Sequence, residues 1–300
     1  MKALRVLIKR NCKLFFKDKG LFFTALITPG ILLVLYATFL GNVYRDSFVQ
    51  ALPPMITLSD SVLNGLVGGQ LVSSILAVSC VTVAFCSNML MIQDRANGTV
   101  KDLRISPIRS STLALGYYIA TLISTLIICL IATGACLAYL AMIGWYLSVG
   151  DVLLLFADVI LLALFGTALS SVIGFFLSTQ GQISAVGSIV SSCYGFVCGA
   201  YMPISQFSEG LQNAVAFLPG TYGTSLLRNH ALRGVFAEMK RIGVPTEAIR
   251  GMEDTVDCRL YVFDAQVSQP TMYVILGGSV VLLIAVYILF NILKAKKKTV

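Results

Sequence analysis

The sequence predicts an all-α membrane protein with six transmembrane helices, and three observations lead to that fold class. Of the 300 residues, 57% are hydrophobic and only 12% are charged, whereas about a quarter of a globular chain is charged. The mean hydropathy is +0.86. The apolar residues also gather in stretches without Lys or Arg that reach the roughly 20 residues a helix needs to cross a bilayer. Soluble, disordered and disulfide-rich classes are therefore excluded.

Six stretches meet this length and together define a membrane domain over residues 21–293. They are Leu21–Leu40, Gln70–Ile92, Leu113–Ile143, Val152–Leu177, Ile183–Met202 and Met272–Leu293. Each stretch is apolar on every face, whereas the strands of a membrane barrel alternate polar and apolar residues over about ten positions. The spans are therefore predicted to be helices.

Residues 1–20 are predicted to form an amphipathic helix at the membrane interface. Leu7 and Phe15 fall on one helical stripe, while Arg5 and Lys9 fall on the other side. Two interpretations remain open for this helix. It is either an anchor beside anionic lipid or an elbow that lies on the cytoplasmic surface and leads into the first span.

The distribution of positive charge predicts that both termini are cytoplasmic. Fifteen of the 22 Lys and Arg residues lie in the N-terminal segment, in the connection after the second span and in the basic tail, residues 294–300. Six of the other seven lie in the long connection after the fifth span, and long connections contribute little to this rule.

The connection between the second and third spans is predicted to contain a short helix with defined ends. Gly98 permits a sharp entry, Thr99 and Asp102 fit a capping box, and Pro107 ends the helix. Its apolar residues are Val100, Leu103 and Ile105. We expect all three to be displayed among charged neighbours, and the alternative is a solvated loop with incidental helical content.

The fifth span carries small residues at intervals of four, which places them on one helical face. They are Gly187, Ser191, Gly195 and Gly199. Such a face allows close approach of another helix. That second helix lies either within one bundle or across a seam between two subunits.

Three single residues inside or beside the spans also raise expectations. Pro29 removes a backbone hydrogen bond and predicts a kink in the first span. Asp158 lies about two turns into the fourth span, so we expect its carboxylate to reach the external interface; substrate contact or proton movement is the alternative. His230 is the only histidine, so no metal site is expected.

The external segment, residues 203–270, is predicted to contain two short interfacial or re-entrant helices and a small cap. Apolar residues recur at helical spacing from Phe207 to Leu218, and a second helix follows from about Thr221 to Met239. Residues 240–264 are interpreted as a solvent-facing cap. Its carboxylates, interpreted as solvated surface, are Glu253, Asp254, Asp257 and Asp264.

In their order along nearly the whole chain, these features resemble the membrane permease subunit of an ABC-2 type transporter. The resemblance rests on the basic start, the six-span layout and two groups of residues. These groups are Arg95, Gly98, Thr99, Leu103, Ser106 and Pro107 after the second span, and Pro203, Leu218, Pro219, Tyr222 and Arg228 after the fifth. Asn97 and the long external segment depart from the family pattern.

The resemblance implies a coupling helix at about residues 98–107 that rests in a groove of a separate ATP-hydrolysing subunit. The residues it assigns to coupling are Arg95, Gly98, Thr99, Val100, Leu103, Ser106 and Pro107. It also implies that two permeases, either identical copies or paralogues, pack through their first and fifth spans. The seam would include Pro29, Gly187, Ser191, Gly195 and Gly199, and an external gate would include Pro203, Leu218, Pro219, Tyr222 and Arg228.

The sequence contains no GxxxxGK[ST] phosphate-binding motif, so we expect that this chain is not an enzyme and that a partner subunit binds ATP and Mg²⁺. The resemblance implies export of an amphipathic drug, an antimicrobial peptide or a lipid-like compound across a bacterial cytoplasmic membrane. A polysaccharide or glycolipid permease is the alternative within the family. An ion-coupled secondary transporter is disfavoured because the spans hold one carboxylate. Membrane lipid is an expected partner, and nucleic acid is not.

Overall fold

The computed structural model describes residues 2–50, 52, 58–105, 108–263 and 265–296, and its fold is a helical bundle. The N-terminal half of the chain contains α1 (Lys2–Lys17), α2 (Lys19–Leu35), a π-helical turn (Tyr36–Leu40), α3 (Gly41–Gln50), α4 (Asp60–Ala96), α5 (Thr99–Ile105) and α6 (Ser110–Ile143). The second half contains α7 (Val149–Phe176), α8 (Gln180–Val197), a 3-10 turn (Ile204–Gln206), α9 (Glu209–Ala216), α10 (Pro219–Arg241), α11 (Thr246–Thr255), β1 (Leu260–Val262), β2 (Ala265–Val267) and α12 (Gln269–Lys296).

The prediction of an all-α membrane protein is confirmed, since five helical stretches of the described chain are long and apolar enough to cross a membrane. They are Lys19–Gln50, Asp60–Ala96, Ser110–Ile143, Val149–Phe176 and Gln269–Leu293. The predicted fifth span coincides with α8, which has 18 residues and carries many Ser, Gly and Gln side chains. It is not among the five, so the count of six remains a prediction.

Helix α4 is the central post of the bundle. It has 37 residues, corresponding to about 55 Å, and α2, α6, α7, α8 and α10 all pack against it. Glycine makes the closest of these approaches possible. A Cβ atom added to Gly166 of α7 would lie 2.7 Å from the carbonyl oxygen of Cys80 in α4, so a larger residue there would separate the two helices.

Helix α1 shows the predicted amphipathic pattern and packs along the start of α6. Leu7 and Phe15 are buried, whereas Lys9 is exposed. A Cβ atom added to Gly116 of α6 would lie 3.1 Å from the Cβ of Leu7. The apolar stripe of α1 is therefore used for packing within the chain, and its location at a membrane interface remains a prediction.

Helix α2 continues as an α-helix through Pro29 to Leu35, and the kink at Pro29 remains a prediction. An irregular turn begins about two turns later, at Tyr36–Leu40. The ring of Tyr36 stacks on Tyr44 of α3 with the ring centroids 5.5 Å apart. A π-helical turn accommodates an extra residue, so the departure from regular helix lies beside this stacked pair.

The predicted second external helix is present as α10, but its packing is deeper than a surface helix allows. It contacts α4, α7 and α12, and Leu226, Leu227 and Leu232 are fully buried. The segment predicted as a cap contains α11 and an antiparallel hairpin in which Leu260 pairs with Val267. Helix α10 therefore belongs to the bundle, and α9, α11 and the hairpin cover one end of it.

Candidate functional site

Helix α5 follows α4 after a single sharp turn at Gly98. This glycine has a φ of +82°, in the left-handed region that favours glycine. The helix begins at Thr99, so Gly98 stands at the N-cap position and the predicted cap at Thr99 is wrong. The helix is described as far as Ile105, and Ser106 and Pro107, where its end is predicted, lie outside the described residues.

One face of α5 is buried in the bundle and the other is displayed. Val100 packs with Leu7 of α1 and Met91 of α4, so its predicted exposure is wrong. The turn at Gly98 folds α5 back against these helices, which the apolar pattern alone did not show. Leu103 is half-buried against the same cluster, and Ile105 is 85% exposed.

Arg95, at the end of α4, binds the C-terminal end of α7. Its Nη1 donates to the carbonyl oxygens of Gly174, Phe175 and Leu177 at 2.8, 3.1 and 3.3 Å. The last carbonyl groups of a helix lack partners within the helix and attract positive charge. Arg95 therefore joins the base of α5 to α7 within this chain.

Asp94 joins the same point to α1 and α6, and sequence reasoning missed it. The Nη1 of Arg10 donates to its Oδ2 at 2.8 Å, and the hydroxyl of Tyr117 donates to the same oxygen at 2.6 Å. The hydrogen bond to Asp94 raises the pKa of Arg10 above its ordinary value. Because Asp94 and Arg95 are adjacent, two consecutive residues connect the turn before α5 to α1, α6 and α7.

A groove of about 1100 Å³ lies between α2–α3 and α8. Met89 and Gln93 of α4 contribute to its lining. Of the predicted seam residues, Gly187 and Ser191 line the groove, and Pro203 lies with Met202 in the turn that lines it after α8. Pro29 is half-buried on α2 and is not among the described lining residues.

The predicted face of small residues is shorter than its sequence spacing indicates. A Cβ atom on Gly195 would lie 2.4 Å from the ring of Tyr201 in the same chain, so Gly195 accommodates an internal contact. Helix α8 ends at Val197, and Gly199 has a φ of +74° in the turn beyond it. The placement of Gly199 on the same helical face is therefore wrong.

Arg228 and Asp257 form a buried ion pair near this turn. Arg228 is 1% exposed; its Nη1 donates to Asp257 Oδ2 at 3.0 Å and its Nη2 donates to the carbonyl of Gly199. The Asp257 carboxylate also accepts the backbone N–H groups of Ile204 at 2.5 Å and Ser205 at 3.0 Å. Burial raises the pKa of Asp257, against the lowering effect of Arg228.

The interpretation of Asp257 as solvated surface is therefore wrong, because its carboxylate is buried and binds the backbone of the turn after α8. Glu253 and Asp254 are half-buried, while Asp264 lies outside the described residues. The other predicted gate residues lie around the α9–α10 junction. Leu218 is 42% exposed, Pro219 begins α10, and the hydroxyl of Tyr222 donates to the carbonyl of Ala216 at 2.7 Å.

A second buried cluster joins α7, α10 and α12. Asp158 is 1% exposed, so the expectation that its carboxylate reaches the external interface is wrong. The Nδ1 of His230 lies 2.5 Å from its Oδ2, and the hydroxyl of Tyr273 donates to its Oδ1 at 2.5 Å. Within the described residues, no three His, Cys, Asp or Glu side chains are placed to hold a metal ion.

A central helix surrounded by spanning-length helices, with a large groove on one side, defines a multi-pass helical membrane protein. Residues 2–231 match the family of ABC-2 type transporters, and the chain belongs to that family. It is therefore a permease subunit of an ABC transporter, a class that works with an ABC ATPase subunit. The match extends into α10, so α11, the hairpin and α12 lie beyond it. No match was found among the curated proteins.

Proposed function

We propose that this chain is the permease of an ATP-driven exporter and that α5 is the surface that a separate ATP-hydrolysing subunit contacts. The observation that carries the proposal is the division of α5 into two faces. Val100 is buried against α1 and α4, while Ile105 remains 85% exposed at the end of the helix. An apolar side chain presented on an anchored helix suits insertion into a partner groove.

The contacts of Asp94 and Arg95 support a route for movement from α5 into the bundle. ATP would bind two arrangements of the partner subunits with different affinity. Only a ligand with such a difference in affinity can drive a conformational change. A displacement of α5 would reach α1 and α6 through Asp94 and α7 through Arg95. Rigid-body movement of these helices would then alter the groove beside α4.

We place the termini and α5 in the cytoplasm of a bacterial cell and the α10–α11 end outside. A second permease, identical or paralogous, would cover the exposed faces of α2 and α8 and complete the groove. ATP and Mg²⁺ would be bound by the partner ATPase alone. The cargo would be an amphipathic drug, a peptide or a lipid-like compound. The serine hydroxyls of α8 that line the groove favour a glycolipid as the second candidate.

Ile105→Asp tests the contact with the ATPase. An exposed apolar anchor that becomes charged should lose at least about 2 kcal/mol of binding free energy. We expect at least a tenfold lower yield of ATPase subunit that copurifies with the permease from native membranes, with unchanged permease expression. Ile242→Asp is the matched control, because Ile242 is an exposed isoleucine that follows α10. A normal ATPase yield with Ile105→Asp would remove α5 from the contact.

A further inference from the structure

The groove between α2 and α8 has two walls of different chemistry. On α2, Ile27, Ile31 and Leu35 line it at intervals of four residues, which extends over about 12 Å. On α8 the lining residues are mainly serines, over a similar length. They are Ser184, Ser188, Ser191 and Ser192. The α2–α3 side also includes Thr24 and Ser47, and the hydroxyl of Ser47 already donates to the carbonyl of Val43. A ligand that fills the groove therefore meets a mostly apolar wall on one side and several serine hydroxyl groups on the other.

The hydroxyl groups on α8 are available to a ligand. Several serine residues away from the groove donate to a carbonyl of their own helix, as Ser79 does to Ile75 at 2.6 Å and Ser279 does to Leu276 at 2.7 Å. Among the contacts of the described residues, none involves the hydroxyl of Ser184, Ser188, Ser191 or Ser192. An unpaired hydroxyl in an apolar environment is costly, and a ligand with oxygen acceptors would remove that cost.

The groove also offers no counter-ion. None of its described lining residues is Asp, Glu, Lys, Arg or His. The buried charges of Arg228 and Asp257, near the turn after α8, already pair with each other. A charged group placed between the two walls would lose its hydration without gaining a partner of opposite charge, which is strongly unfavourable.

We infer that the groove binds an uncharged amphiphile with an aliphatic edge and an edge rich in hydroxyl or ether oxygens, the chemistry of an alkyl glycoside. This inference rests on the proposed function only in treating the bound compound as cargo. It selects among the cargo classes named above, because a cationic peptide and a polyanionic polysaccharide both carry charges that these walls do not neutralise.

Binding of three matched fluorescent probes to the full chain in phosphatidylcholine nanodiscs tests the inference. The probes share one dansyl-alkyl chain and end in a glucoside, a quaternary ammonium or a sulfate. We expect the glucoside probe to bind at least tenfold more tightly than either charged probe. Equal binding of the three, or no binding of the glucoside, would overturn the inference. The assay needs no ATPase, so failure of an ATPase to copurify would remove the proposed function and leave this result standing.

Two variants separate a ligand site from lipid partitioning and from helix packing. Ser188→Asp should raise affinity for the ammonium probe at least tenfold, whereas Ser178→Asp, at an exposed serine before α8, should change nothing. Ser188→Ala with Ser191→Ala should weaken glucoside binding about fivefold or more. If that double variant instead dissociates a permease dimer and leaves probe preference unchanged, the hydroxyls belong to a subunit seam and the inference is wrong.

Discussion

Buried charged side chains connect parts of this protein that are far apart in the sequence. The buried Asp, Arg and His side chains among the described residues are Asp94, Asp151, Asp158, Arg228, His230 and Asp257, and each has an ionisable partner within salt-bridge distance. A buried ion left without its partner is strongly destabilising. These pairs therefore restrict how the helices can be arranged.

Asp158→Asn is expected to destabilise the fold. The carboxylate binds both His230 and Tyr273, and breaking a buried pair from one side costs about 3–5 kcal/mol. Thermal denaturation in detergent can be monitored by the loss of the monodisperse protein peak in size-exclusion chromatography. The midpoint temperature of that loss should be clearly lower for Asp158→Asn. Asp46→Asn, at an exposed aspartate, should leave the midpoint unchanged. An unaltered midpoint in Asp158→Asn would show that the cluster does not hold α7, α10 and α12 together.

Asp257→Asn should be more damaging than removal of the whole Arg228–Asp257 pair. The single change leaves the buried guanidinium without a counter-ion, while Arg228→Met with Asp257→Leu removes both charges, which is often neutral or stabilising. Asp257 also accepts two backbone N–H groups, so the double variant should recover only part of the loss. Denaturation midpoints of the three proteins measure the difference, and a double variant less stable than Asp257→Asn would contradict this account.

Sequence reasoning singled out Asp158, Arg228 and Asp257 but not the partners that each of them binds. Asp158 stood out as a carboxylate inside a span, yet His230 is 72 positions away and Tyr273 is 115 positions away. Hydrophobic periodicity reports which face of one helix is apolar. It contains no information about which polar groups two helices bring together, so Asp257 was assigned to the surface.

At the scale of elements, α4 and α5 act as one unit with a turn between them. The sequence predicted α5 from Gly98 and its short amphipathic pattern, and that helix is present. The orientation of Val100 was not predictable because it depends on the angle at which the chain leaves Gly98. The local sequence determined that a helix forms, whereas packing against α4, in the apolar cluster that also contains Leu7 of α1, determined which face is buried.

Asp94→Asn should weaken the connection of α5 to α1 and α6 without abolishing the binding of the ATPase. The amide cannot form the charged pair with Arg10, whose side chain is 29% exposed, so the fold should tolerate the change. We expect ATP hydrolysis by the copurified complex to persist while the response to a transported substrate is lost. Arg10→Asp combined with Asp94→Arg should restore part of that response, and a normal response in Asp94→Asn would exclude the connection.

At the scale of the whole molecule, the elements flanking the groove expose large apolar side chains, as α6 and α12 also do. Ile27, Ile31 and Phe39 on one side and Ile189 and Phe196 on the other are each more than half exposed. The sequence predicted six spanning helices, and five of them are long and apolar enough to cross a membrane. Helix α8 is not among the five, because its serine, glycine and glutamine residues lower its hydropathy. The polar residues that line the groove are the same residues that make α8 hard to recognise as a membrane span from hydropathy.

Cross-linking at Cys193 tests whether α8 lies at a subunit seam. Cys193 is exposed, whereas the other cysteines are half-buried or buried. A short bismaleimide added to native membranes should produce a covalent permease dimer, detected by its mobility in a denaturing gel. Cys193→Ser should abolish that dimer. A dimer that persists in the variant, or none in the native protein, would place the seam elsewhere or show that the permease is a monomer.

The lengths of α4 and α8 make them respond differently to the host membrane. Helix α4, at about 55 Å, reaches beyond a hydrocarbon layer of about 30 Å on both sides, while the 18 residues of α8 extend over about 27 Å. Tilting a helix only reduces the thickness of membrane that it spans, so α8 has no extra length with which to span a thicker bilayer. Lipids with longer acyl chains should therefore strain α8 and the groove beside it while leaving the central post unaffected.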